Sequence, residues 1–110
     1  MRRCAAELSS LGRYAGPATL ILSSLAGGAK HGYALMHDVE SFAGVTLGPG
    51  TLYGALLRLE EAGLIEALAG EGRRRPYRLT PAGADALRVQ LDAQRRVADV
   101  GLSRLQAVTP

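Results

Sequence analysis

The sequence predicts a mainly α fold with one small two-stranded β-hairpin, ending in a long helix. Three observations predict it. Apolar residues recur at spacings of three and four through the first sixty positions, in stretches separated by glycine and proline stops. Two short extended segments flank a glycine-bearing loop between residues 64 and 80. After Thr80-Pro81 a helical period then runs to about Gln106.

The elements follow in order. Residues 1 to about 14 fit a loose amphipathic helix through Ala5, Leu8 and Leu11. A second helix runs from about Pro17 to Ala26, with Leu20, Ile21, Leu22 and Leu25 as its buried side, and Gly27-Gly28 stops it. A third runs from Lys30 or His31 to about Phe42, with Leu35, Met36, Val39 and Phe42 at helical spacings; Gly44 ends it. Gly48-Pro49-Gly50 turns into a fourth helix, about Pro49 to Ala62, whose core stripe is Leu52, Leu56 and Leu59 and whose C-terminal cap is Gly63. Leu64 to Leu68 reads as one strand and Arg75 to Thr80 as the return strand, with Pro76 suggesting an edge position. The last helix runs from about Pro81 to Gln106. Three core helices followed directly by a hairpin is the layout of a winged helix-turn-helix. The expected division is residues 1–80 for the N-terminal helix and DNA-binding domain and 81–110 for a C-terminal dimerisation helix.

Bulk properties limit the function. The chain has 110 residues, the size of one domain, and 47% of them are hydrophobic. A net charge of +3 favours nucleic acid weakly, but three of the thirteen basic residues are consecutive, at Arg73, Arg74 and Arg75. The apolar run Ala18 to Ala26 is too short to span a bilayer and reads as a core helix, not a secretion signal. The single cysteine, Cys4, allows no intramolecular disulfide and fits a reducing cytoplasm. No membrane, metal or cofactor is expected. His31 and His37 are six apart, on different helical faces, with no companion ligands. No nucleophile–base set or phosphate-binding glycine loop is visible, which disfavours an enzyme.

Four features carry the expected chemistry. On the 49–62 helix, Thr51, Gly54 and Arg58 gather away from the leucine stripe, with Tyr53 on a flank. A face with a hydroxyl, a bare backbone and a guanidinium suits a major groove. A winged-helix module that binds protein would instead show an acidic or apolar face there. The loop AGEGRRR carries Arg73 to Arg75 outward, where they suit phosphates or a narrow minor groove; a solvated arginine run is the alternative. Lys30, His31 and Tyr33 sit at a helix start, where free N–H groups attract phosphate. The alternative there is that His31 caps the helix and Tyr33 packs in the core. The last helix carries Leu87, Leu91, Gln94, Ala98, Leu102 and Leu105 at spacings of four and three, close to a coiled-coil seam. Three short helices cannot cover so long a stripe, so a second copy of the chain is the natural partner. Packing within the chain is the alternative.

Three ordered blocks, HGYALMHDVE, GPGTLYGALLRLEEAGLIE and GRRRPYRLTPAGADAL, resemble the PadR-like family of bacterial transcriptional regulators over about residues 17 to 90. The resemblance implies a winged-helix homodimer that binds double-stranded operator DNA, commonly as a repressor relieved by a small-molecule effector. It also implies that Thr51 and Tyr53 lie on the recognition helix, Arg73 to Arg75 and Tyr77 on the wing, and Lys30 to Tyr33 where a helix abuts the DNA backbone. Multidrug-binding relatives carry a Trp on the last helix where this chain has Gln94, so an aromatic-drug pocket of that kind is not expected. Nor is a larger C-terminal ligand-binding domain.

Overall fold

The computed structural model describes residues 15–70 and 75–108. The expected N-terminal helix over residues 1 to 14, with Cys4, and the wing arginines Arg73 and Arg74 lie outside the described residues.

Helix α1 (Ala15–Leu25) has Pro17 in its first turn. It buries Ala18, Ile21, Leu22 and Leu25, one stripe at three- and four-residue spacing. Two glycines then release the chain, with the Gly27 and Gly28 N–H groups donating to the carbonyls of Ser24 and Leu25. Strand β1 (Lys30–His31) leads straight into α2 (Gly32–Ala43). Gly44, at φ 68°, ends α2 by donating its N–H to the Glu40 carbonyl. Leu35 and Val39 are the buried anchors of α2. Phe42, on the last turn of α2, is 52% exposed and does not join them.

Helix α3 (Pro49–Glu61) begins with Pro49 as the sequence predicts and buries Leu52, Ala55, Leu56 and Leu59. Its end is a Schellman motif: the Leu64 N–H donates to Leu59 O and the Gly63 N–H to Glu60 O, both at 3.0 Å, with Gly63 at φ 77°. Strands β2 (Ile65–Ala67) and β3 (Pro76–Leu79) follow, and then α4 (Pro81–Val108), 28 residues long.

The sheet contains the expected β2–β3 hairpin, adds a third strand to it, and corrects the placing of Pro76. It has three antiparallel strands, not two, in the order β1-β3-β2, with Lys30 opposite Tyr77 and His31 opposite Pro76. A two-residue strand has no alternation to read, so β1 leaves no signal in the sequence. Pro76 therefore lies on the central strand, not an edge. It is tolerated as the first residue of that strand, where its carbonyl accepts the Leu68 N–H at 2.8 Å and its missing N–H interrupts no ladder beyond the strand end.

One core joins all of this. Helix α1 packs against α2, α3 and α4, and Leu64, Ile65, Tyr77, Ala86 and Leu87 complete the cluster. Arg78 and Glu66, opposite each other across β2 and β3, form a half-exposed ion pair on the outer face. It fixes the register more than it adds stability, which for such pairs is under about 1 kcal/mol.

Candidate nucleic-acid interface

The helix-turn-helix comes from α2 and α3, and its geometry is set where they touch. Gly32 opens α2 and is buried beneath α3. A Cβ at this position would fall 2.6 Å from Tyr53 Oη, 3.1 Å from Tyr53 Cζ and 3.3 Å from Leu52 Cδ2. A side chain here would require the outer end of the Tyr53 ring to shift, so Gly32 seats Tyr53 where α3 meets the start of α2. Tyr53 is accordingly half-buried against the core. Gly32→Ala is expected to push Tyr53 off its seat and lower unfolding stability by about 1–2 kcal/mol in denaturant titration. The cost should shrink in a Tyr53→Phe background, which removes the nearest clashing atom.

The face of α3 that leaves the body differs in detail from the sequence reading. At 100° per residue the buried stripe Leu52, Ala55, Leu56 and Leu59 has one centre, and Gly50, Gly54, Leu57 and Glu61 lie opposite it. Thr51 and Arg58 are exposed, but on the flank of that arc. Arg58 Nη1 stands 3.4 Å from Glu61 Oε1, an exposed pair that DNA could reorganise at little cost. Gly54 is half-buried. Leu57, 52% exposed, is the residue that sequence reasoning misses, because that reasoning follows polar groups to find a DNA-facing surface. Its place on the wheel, opposite the leucine stripe, is the signal that could have found it.

The segment before α2 is also rearranged. Lys30 turns inward: its ammonium donates to the carbonyls of Ser24 (2.6 Å) and Gly28 (3.2 Å) and lies 4.0 Å from the Asp38 carboxylate. Asp38 in turn accepts a 2.6 Å bond from the Ser24 hydroxyl. Lys30 thus caps the C-terminus of α1 and ties it to α2 and β1, and its charge is not presented to a passing phosphate in this arrangement. His31 is exposed and serves as N-cap, its Nδ1 accepting from the Ala34 N–H at 3.5 Å. Tyr33 is 66% exposed, its ring edge-on to His37 at 5.7 Å, and so is outside the core. Tyr33 and His31 together present a polar surface at the start of α2.

On the hairpin, Tyr77 corrects the expectation of a wing contact. It is buried, because Tyr77 and Leu79 alternate onto the core side of the central strand, across from Ala67 and Ile65, while Arg78 points out. The alternation in PYRL is a legible signal for this. Arg75 is half-buried where Gly70 crosses close to it, and its Nε is buried without a hydrogen-bond partner. The long helix corrects a further position. Leu87 is buried in the chain's own core, since α4 leaves the body only after its first two turns. Beyond it Leu91, Gln94, Ala98, Leu102 and Leu105 are all exposed, and so are Val97 and Val100, which the four-three spacing passes over. Among the described residues no group of three or more His, Cys, Asp or Glu is placed to hold a metal, and no helix is long and apolar enough to cross a membrane.

The model of the transcriptional regulator PadR-like family matches residues 21–89, more than half of the chain, from the second half of α1 to the start of α4. The chain belongs to the PadR-like family. It is 31% identical to a PadR family transcription regulator of Clostridium difficile, whose solved structure superposes with a TM-score of 0.71 over 80% of this chain and 96% of that one. A transcriptional regulator from Clostridium thermocellum is 30% identical with a TM-score of 0.69, covering 78% of this chain and 89% of its own. A protein of 37.1 kDa in transposon TN4556 of Streptomyces fradiae is 46% identical over 78 residues, 71% of this chain. This chain spans 23% of that relative's length. The fold is the PadR-like winged helix, with α2 and α3 as the helix-turn-helix and the β2–β3 hairpin as the wing. The family and both solved relatives are named as transcriptional regulators.

Proposed function

We propose that this PadR-like protein is a sequence-specific repressor that binds a pseudo-palindromic operator as a homodimer, in the cytoplasm. The observation that carries this reading is the exposed apolar surface of α4. Leu91, Leu102 and Leu105, which share one face, are 39–62% exposed along a helix that departs from the DNA-binding body. A run of exposed apolar side chains on this scale favours a covering partner, and a second α4 offers a matching surface. Two-fold pairing would then present two copies of α3 to successive turns of the major groove. In this arrangement residues 1–80 bind DNA and 81–110 dimerise.

Within that reading Thr51, Tyr53, Gly54 and Arg58 contribute from α3, His31 and Tyr33 from the start of α2, and Arg73 to Arg75 from the wing. Lys30 acts by holding α1 to α2, and Tyr77 by anchoring the wing in the core. The repressor sense and relief by a small-molecule effector follow from the family resemblance. A reporter driven by the gene's own upstream region is expected to rise when the protein is deleted.

Gel-shift titration against that upstream region tests the proposal. Binding at least about 10³-fold tighter than to random DNA is expected, and equal binding to both contradicts it. Replacing Arg73, Arg74 and Arg75 by alanine is expected to flatten the plot of log K against log salt by about 0.9 for each phosphate no longer neutralised. An unchanged slope would mean that the wing arginines do not meet phosphates.

A further inference from the structure

We infer that Leu57 is a specificity-determining residue that packs against thymine C5-methyl groups in the major groove. The inference rests on the reading of α3 as the recognition helix. Leu57 is 52% exposed, whereas Leu52, Leu56 and Leu59 on the same helix are at most 1% exposed. It therefore contributes little to the core. Its neighbours in the outward arc, Gly50, Gly54 and Glu61, offer it no apolar side chain to pack on.

Direction strengthens the assignment. Helical side chains lean toward the N-terminus and cover the surface of the preceding turn. Leu57 thus overlies the turn containing Gly54, which has no side chain to compete for the same space. The carboxylate in the arc, Glu61, is drawn toward Arg58, which leaves the Leu57 methyls as the apolar projection of this face. The major-groove edge of DNA offers one apolar group, the thymine methyl, and apolar side chains select for it. A phosphate, a guanine or a cytosine edge gives Leu57 nothing to pair with.

The test uses the full chain and a duplex selected by it from a random DNA library. Each thymine is replaced in turn by uracil, which deletes the methyl and keeps every hydrogen-bonding group. The wild-type protein is expected to lose about fourfold in affinity at one position per half-site, the effect of one buried methyl. Leu57→Ala, at an exposed position, should leave the circular dichroism spectrum unchanged and is expected to bind the thymine and uracil duplexes equally. Indifference of the wild type to uracil at every position overturns the inference, and so does a uracil effect that survives in Leu57→Ala. Failure of the library to yield any enriched duplex overturns the DNA-reading role of α3 itself.

Discussion

Replacing Gly83 with alanine is expected to lower unfolding stability by about 3 kcal/mol or more, at the upper end of overpacking costs. Helix propensity predicts the opposite sign, since alanine is favoured over glycine inside a helix by about 1 kcal/mol. The structure decides between them. Gly83 is buried in the first turn of α4, and a Cβ there would overlap the Leu64 carbonyl oxygen and come within 2.9 Å of the Leu64 carbonyl carbon and Leu79 Cδ1. The obstacle is backbone, so no rotamer change relieves it. The same spot joins three elements. The Thr80 hydroxyl donates to Gly63 O at 2.7 Å and accepts from the Gly83 N–H at 3.0 Å, and the Thr80 N–H donates to Leu64 O at 3.1 Å. Forcing α4 away from Leu64 therefore also breaks its N-cap and the link to the end of α3. Thermal unfolding should show a fall in Tm of more than about 10 °C for a domain of this size. A Tm at or above wild type would mean that α4 can slide without cost.

A charge on the free part of α4 should have the second large effect, on assembly. Leu102→Asp combined with Leu105→Asp, on the one face of α4 that also carries Leu91 and Ala98, is expected to convert a dimer into a folded monomer by analytical ultracentrifugation. Leu102 is 62% and Leu105 60% exposed within one chain, so neither substitution touches the core. Two-fold symmetry would place each new carboxylate in the interface twice, without a partner, which is costly to bury. Operator affinity should fall by about 100-fold or more, the scale of avidity that disappears when two linked half-site interactions become one. An unchanged dimer would show that α4 does not form the interface. Monomers that bind the operator as tightly as wild type would show that single half-sites suffice.

The local grammar of this fold is readable in the sequence. Proline at 17, 49 and 81, glycine at 44 and 63, and the leucine stripe of α3 mark element ends and faces that reappear within a few residues. These signals act over one or two turns, so neighbouring residues suffice to read them. What stays hidden depends on residues far apart in the chain. Gly32 matters because of Tyr53, and Gly83 because of Leu64. Lys30 turns inward because the end of α1 and Asp38 converge on it, an attraction that its place at a helix start does not reveal. The pairing of Lys30-His31 with β3 puts Tyr77 at the centre of the sheet instead of on a DNA-facing surface. On α4 the leucine spacing picks out residues that are exposed from Leu91 onward. It counts Leu87, however, which the body covers, and passes over Val97 and Val100, which the body leaves exposed.

Selection of bound duplexes from random DNA by the purified full chain tests two-fold operator recognition. An enriched inverted repeat is expected, its half-sites about 10–10.5 base pairs apart, or a multiple of that, matching two copies of α3 on one face of the duplex. A pool that stays random, or a motif without two-fold symmetry, would contradict it.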